Sequence, residues 1–171
     1  MDTTAPVVSP SPVNDIMPDI VPAPAVANTP EPTSSPRILL AEDEFDARVI
    51  YLDILKSAGF NSDGAENGRV TLDLLTKNKY DLLLLDIIMP DIDGISVLTE
   101  IHQAPDKYGN PKVVMLTNIG GDLAIEKALK IGASGYMLKS ETDPEQLIAV
   151  IKKYLAGENH VKVQSSLYSN N

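Results

Sequence analysis

The chain has 171 residues, 24 acidic against 14 basic for a formal net charge of −10, and no cysteine. That acidity argues against direct nucleic-acid binding or stable docking on anionic lipid, which needs clustered Lys or Arg, and the missing thiols exclude disulfide frameworks and thiolate zinc sites. No apolar run approaches the roughly 20 residues of a membrane-spanning helix, and the N-terminus carries no basic leader, so no membrane association is expected and the cytoplasm is the expected location.

Nine of the 13 prolines fall in residues 1–36, which hold four acids and no Lys or Arg. This stretch reads as a disordered, polyproline-like arm. Its patch IMPDIV at 16–21 is more apolar than a spacer requires, yet the inert arm is the preferred reading. Domain organisation is then an arm over 1–36, one folded unit over 37–158 and a short polar tail over 159–171.

From Arg37 the texture changes. Residues 38–41 (ILLA) form a short apolar run, as in a strand buried on both faces, and end in Glu42, Asp43 and Glu44. A helical pattern follows, with Phe45, Val49, Leu52 and Leu55 on one stripe and Gly59 as its stop. Residues 60–65 make a weak second strand. Residues 68–78 are helical, with Val70, Leu74 and Leu75 inward. The segment DLLLLD at 81–86 is the strongest strand, since four consecutive leucines cannot alternate in and out. MPDIDG at 89–94 is a turn whose Asp93 caps a helix over 94–103. A loop spans 105–111, a fourth strand 112–117, and a helix 122–131 closed by Gly132. A fifth strand covers 134–138. Asp143 caps the last helix, with Pro144 at its first position and Gln146 three residues past the cap. Its core stripe is Leu147, Val150, Ile151, Tyr154 and Leu155. Five strands alternating with five helices predict an α/β fold around a parallel sheet.

Ligands of open α/β sheets sit beyond the carboxyl ends of the strands. Glu42, Asp43, Asp86, Thr117 and Lys139 all fall there. Three gathered carboxylates repel one another unless one keeps its proton or a cation neutralises them. Oxygen-only ligands favour a hard ion such as Mg2+. A carboxylate beside that ion is a nucleophile toward phosphorus, and Asp86, on the central strand, is the natural one. Lys139 and Thr117 would then supply charge and a hydrogen bond to the phosphoryl oxygens.

At these residues the chain resembles the receiver domain of two-component response regulators. The resemblance rests on ILLAEDE (38–44), DLLLLDIIMPDIDG (81–94), VVMLT (113–117) and GYMLK (135–139), and it covers about residues 37–158. It implies a flavodoxin-like, doubly wound five-stranded parallel sheet in the order 2-1-3-4-5. It also implies phosphotransfer to Asp86 from the phosphohistidine of a sensor histidine kinase or histidine phosphotransfer protein. Mg2+ would be held by Glu42, Asp43, Asp86 and the backbone carbonyl of Ile88. Thr117 and Tyr136 would form a switch that changes protein binding on the face of the fourth helix, fifth strand and fifth helix. A stand-alone receiver without an output domain is expected, acting as a regulatory phosphoacceptor rather than an enzyme on other substrates; phosphorylation-dependent homodimerisation is left open.

The chain departs from the family at three places. Ser140 follows Lys139, where the family often has a cis-linked proline, so the isomer of that bond is open. Asn118 follows Thr117 where a small residue is usual, and Ile88 offers nothing to orient an attacking water. The last two predict slow autodephosphorylation. Aspartyl-phosphate hydrolases use a similar residue set, but normally carry an acid where this chain has Ile88. A constitutive module with a vestigial pocket is disfavoured by the complete acid set with Thr117 and Lys139. Asp91, Asp93, Gly94 and Glu100 fit only part of a calcium loop, with Met89 at its first ligand position.

Overall fold

A computed structural model describes residues 35–118 and 122–157, together with Met1. The chain divides into two units, residues 1–31 and 32–171, and only the second is described below. But for Met1, Ser35 and Pro36, the expected arm and tail lie outside the described residues.

The strands are β1 (Arg37–Ala41), β2 (Asn61–Ala65), β3 (Leu82–Asp86), β4 (Lys112–Thr117) and β5 (Gly135–Leu138). The helices are α1 (Phe45–Ser57), α2 (Gly68–Lys77), α3 (Gly94–Gln103), α4 (Pro105–Tyr108), α5 (Asp122–Ile131) and α6 (Pro144–Leu155). All strand pairs are parallel, in the order β2-β1-β3-β4-β5, as the flavodoxin-like reading predicts. Every residue of β3 is buried. Leu82 and Leu84 join Ile38, Leu40, Val114 and Leu116 against Leu55 of α1 and Leu147, Ile151 and Tyr154 of α6. Leu83 and Leu85 join Leu39, Val113 and Met115 against Leu72, Leu75, Val97, Leu98 and Ile101 of α2 and α3. The leucine run thus divides between two cores, each side chain contributing about 1.5–3 kcal/mol of burial.

Three expectations are corrected. Residues 105–111 contain the short helix α4, bracketed by Pro105 and by Gly109 at φ 77°; four residues are too few for a hydrophobic period to show. Among the described residues there are accordingly six α-helices, and the expected fourth and fifth are α5 and α6. In α1, Phe45 is 67% and Val49 47% exposed. That helix starts where β1 ends, so its first turns overhang the carboxyl edge of the sheet, and only its later residues Tyr51, Leu52, Ile54 and Leu55 reach the core. In α2 the fully inward residues are Thr71, Leu72 and Leu75, with Val70 and Leu74 half-buried beside them. The weak β2 is real because it is an edge strand: it pairs with β1 alone and buries only Ser62 and Ala65.

Candidate functional site

The carboxyl edge of the sheet collects the groups singled out by the sequence. Glu42 continues the ladder one residue past β1, its N–H donating to Ala65 O at 3.0 Å, and it is 1% exposed. Asp43, next in the turn, is exposed. Asp86 ends β3 opposite Leu116 and is 6% exposed. Oxygens of Glu42, Asp43 and Asp86 all lie within 4.8 Å of one another.

The turn after Asp86 is built to fold back tightly. Gly94 N–H donates to Ile87 O at 2.9 Å, and a Cβ on Gly94 would fall 2.0 Å from Asp86 O, so only glycine permits that approach. Asp91 adopts φ 63°, a left-handed conformation that Asp tolerates better than most residues. Asp93 Oδ1 caps α3 by accepting from Ser96 N at 2.8 Å. Ile88 N–H donates to Asp86 Oδ1 at 3.1 Å, while the Ile88 side chain is 61% exposed.

Lys139 follows β5 in a turn of 3-10 helix, Lys139–Glu141. Its Nζ donates to Asp86 Oδ2 at 2.6 Å and lies 2.5 Å from Glu42 Oε2. The first contact is a well-directed hydrogen bond. The second is an ion pair whose alignment falls short of one. Burial alone would lower the Lys139 pKa, but the hydrogen bond to Asp86 and the close charges of Asp86 and Glu42 outweigh it and hold the ammonium above its ordinary value. For Glu42 burial dominates and raises the carboxyl, against the opposing pull of Lys139. No cis peptide bond occurs among the described residues, so Lys139–Ser140 is trans.

Thr117 ends β4, one residue past the partner of Asp86, and is buried. Tyr136 on β5 is half-buried and packs against the core shared by α2 and α3. The structure therefore gathers Glu42, Asp43, Asp86 and Lys139, with Thr117 on the next strand end and Tyr136 within the outer strand β5, beside Met115. Three carboxylates outnumber one ammonium, and all the candidate ligands are oxygens, so the set fits a hard divalent cation.

Two residues escaped the sequence reading. Tyr51 of α1 is half-buried, and burial raises its pKa within reach of the charges of Lys139, Glu42 and Asp86. Arg48 of α1 donates from Nη1 to the carbonyls of Glu42 and Asp43. A signal for the second existed: an arginine near a helix N-terminus opposes the helix dipole and so asks for local acceptors.

Comparison with known proteins agrees with this geometry. The family model "Response regulator receiver domain" matches residues 38–152. Sporulation initiation phosphotransferase F of Bacillus subtilis (strain 168) is 29% identical over 119 residues, covering 70% of this chain and 93% of that protein. Hybrid signal transduction histidine kinase B of Dictyostelium discoideum is 32% identical over 129 residues, 70% of this chain, but the chain spans only 7% of that much longer protein. A solved CheY-like receiver domain from Methanospirillum hungatei JF-1 superposes with a TM-score of 0.66 at 26% identity, covering 72% of this chain and 95% of that one.

Proposed function

The chain belongs to the response regulator receiver family, and from that premise we propose that it accepts a phosphoryl group on Asp86 and thereby switches its binding to another protein. The observation that carries this reading is a buried strand-end carboxylate held on one oxygen by Lys139 and on the other by the Ile88 amide, with Glu42 and Asp43 within 4.8 Å. The receiver spans residues 37–158.

An oxygen of Asp86 attacks the phosphorus of a phosphohistidine. The phosphorus–nitrogen bond breaks, the imidazole leaves, and an acyl phosphate forms. Mg2+ held by Glu42, Asp43, Asp86 and the Ile88 carbonyl would supply charge neutralisation for the transferring group. Lys139, already bonded to Asp86, moves its donors onto a phosphoryl oxygen, and the Thr117 hydroxyl donates to another. Turning Thr117 inward lets Tyr136 follow, and the face of α5, β5 and α6 changes shape for a downstream protein. The phosphodonor is a sensor histidine kinase or histidine phosphotransfer protein, in keeping with one relative named a hybrid signal transduction histidine kinase and another named a phosphotransferase. The protein then acts as a regulatory phosphoacceptor. The cytoplasmic assignment rests on membership of the receiver family; no helix among the described residues is long and apolar enough to cross a membrane.

The test is intact mass after incubation with phosphoramidate, with and without Mg2+. One phosphoryl group should appear on the wild type, and none without Mg2+ or in Asp86→Ala. Absence of added mass, together with no Mg2+-dependent amide shift on adding beryllofluoride, would mark the pocket as vestigial.

A further inference from the structure

We propose that Arg48 is a positioning residue for the divalent cation: by clamping two main-chain carbonyls it fixes the β1–α1 turn in the form that gathers the Glu42 and Asp43 carboxylates beside Asp86. This inference rests on the reading of the acid cluster as a cation site.

The turn between β1 and α1 supplies two of the three carboxylates, yet neither of its carbonyls belongs to the regular ladders. The helix ladder starts with Arg48 N–H donating to Glu44 O at 2.9 Å. The Glu42 and Asp43 carbonyls instead accept from Arg48 Nη1, at 2.6 and 3.1 Å. Glu42 is thereby held from both sides, its N–H by Ala65 O of β2 and its carbonyl by Arg48. With both peptide planes tied, the backbone that carries the two side chains has little freedom left.

Arg48 is itself held in place. Its guanidinium lies over the Phe45 ring at 5.6 Å, which gives that exposed aromatic a role other than core packing. Its stem runs past Gly64 of β2: a Cβ there would come 3.3 Å from Arg48 Cδ and 2.9 Å from Leu52 Cδ1. A side chain fixed at its stem, plane and tip loses little further freedom when the cation binds. A planar fork with several fixed donors suits this task better than a lone ammonium. Groups that orient metal ligands are typically worth about 10–100-fold in metal affinity.

The test measures the Mg2+ dissociation constant of the full chain by calorimetry and by the amide shifts of Glu42, Asp43 and Asp86. Arg48→Met should weaken binding by about tenfold or more, and Arg48→Lys by less. Arg37→Met is the comparison. Arg37 occupies the other end of β1, bonds Asp63 at 2.8 Å and lies 4.9 Å over the Tyr80 ring. Losing it costs stability but should leave Mg2+ affinity unchanged. Wild-type affinity in Arg48→Met, or equal weakening in Arg37→Met, overturns the positioning role while the cation site stands. No Mg2+ binding by the wild type overturns the site and this inference together. If Arg48→Met does not fold, Arg48→Lys decides alone: weaker binding supports the role and unchanged binding overturns it.

Discussion

Replacing Lys139 by Met keeps most of the aliphatic stem and deletes the ammonium. The lysine side chain is 9% exposed and touches Glu42 Oε2 at 2.5 Å and Asp86 Oδ2 at 2.6 Å. Without it, two buried carboxylates face each other uncompensated. Breaking a buried pair by removing one partner costs about 3–5 kcal/mol, but here there is an escape, since one carboxyl can take a proton. Glu42 is the group to do so, because burial already raises its pKa above 4.5 and Lys139 is what opposes the rise. From that ordinary value, protonation costs about 3.4 kcal/mol at pH 7 and about 0.7 kcal/mol at pH 5. These figures are ceilings on the loss at each pH.

The sign follows from linkage. A carboxyl raised in the folded state contributes stability that is full below its unfolded value of 4.5 and is lost as pH rises through its folded value. Removing Lys139 raises that folded value further, so the deficit relative to wild type must grow from pH 5 to pH 7. Lys139 itself, raised above 10.5, loses its contribution only in alkali. Urea denaturation followed by circular dichroism, in chelator and at both pH values, measures the difference. A deficit approaching about 3 kcal/mol at pH 7 and below about 1 kcal/mol at pH 5 is expected. A loss equal at the two pH values would assign the cost to packing and refute the electrostatic account.

Other perturbations probe separate parts of the structure. Gly94→Ala places a Cβ 2.0 Å from Asp86 O and should cost about 3 kcal/mol by overpacking; an unchanged denaturation midpoint would contradict the tight turn. Tyr80 donates to Asp63 Oδ2 at 2.9 Å, and burial followed by that carboxylate pushes its phenol up to about 12. Ultraviolet titration should show a tyrosine ionising at about 12 that Tyr80→Phe removes, and a titration curve left unchanged by Tyr80→Phe above about pH 11 would count against the bond. The exposed aliphatic Ile88 offers no group to orient water at Asp86, so the acyl phosphate should be long-lived and Ile88→Asn should shorten its lifetime. A wild-type lifetime as short as that of fast chemotaxis receivers would argue otherwise.

What was legible in the chain was whatever left a run or a strand-end residue. Four leucines at 82–85 can be covered only from both sides, and the structure places them in two cores. Glu42, Asp86, Thr117 and Lys139 were readable because each ends or follows an apolar strand. Phe45 and Val49 carry a helical spacing but no record of where the sheet stops, so their exposure was not visible. Helix α4 is shorter than a hydrophobic period. Its capped Tyr108, buried with a hydroxyl bonded to Glu100, looks in sequence like any loop tyrosine. Arg48 left one hint, a cation near a helix N-terminus, but its partners are main-chain carbonyls, which no residue identity names.

We place the phosphoryl group on Asp86. Borohydride reduces an acyl phosphate to the alcohol, so a phosphorylated aspartate becomes homoserine. Treating the phosphoramidate-modified protein this way and sequencing its peptides by mass should find homoserine at position 86 and nowhere else. Homoserine at Asp43, Asp91 or Asp93, or a phosphoryl group that survives as a hydroxyl ester, would contradict the account.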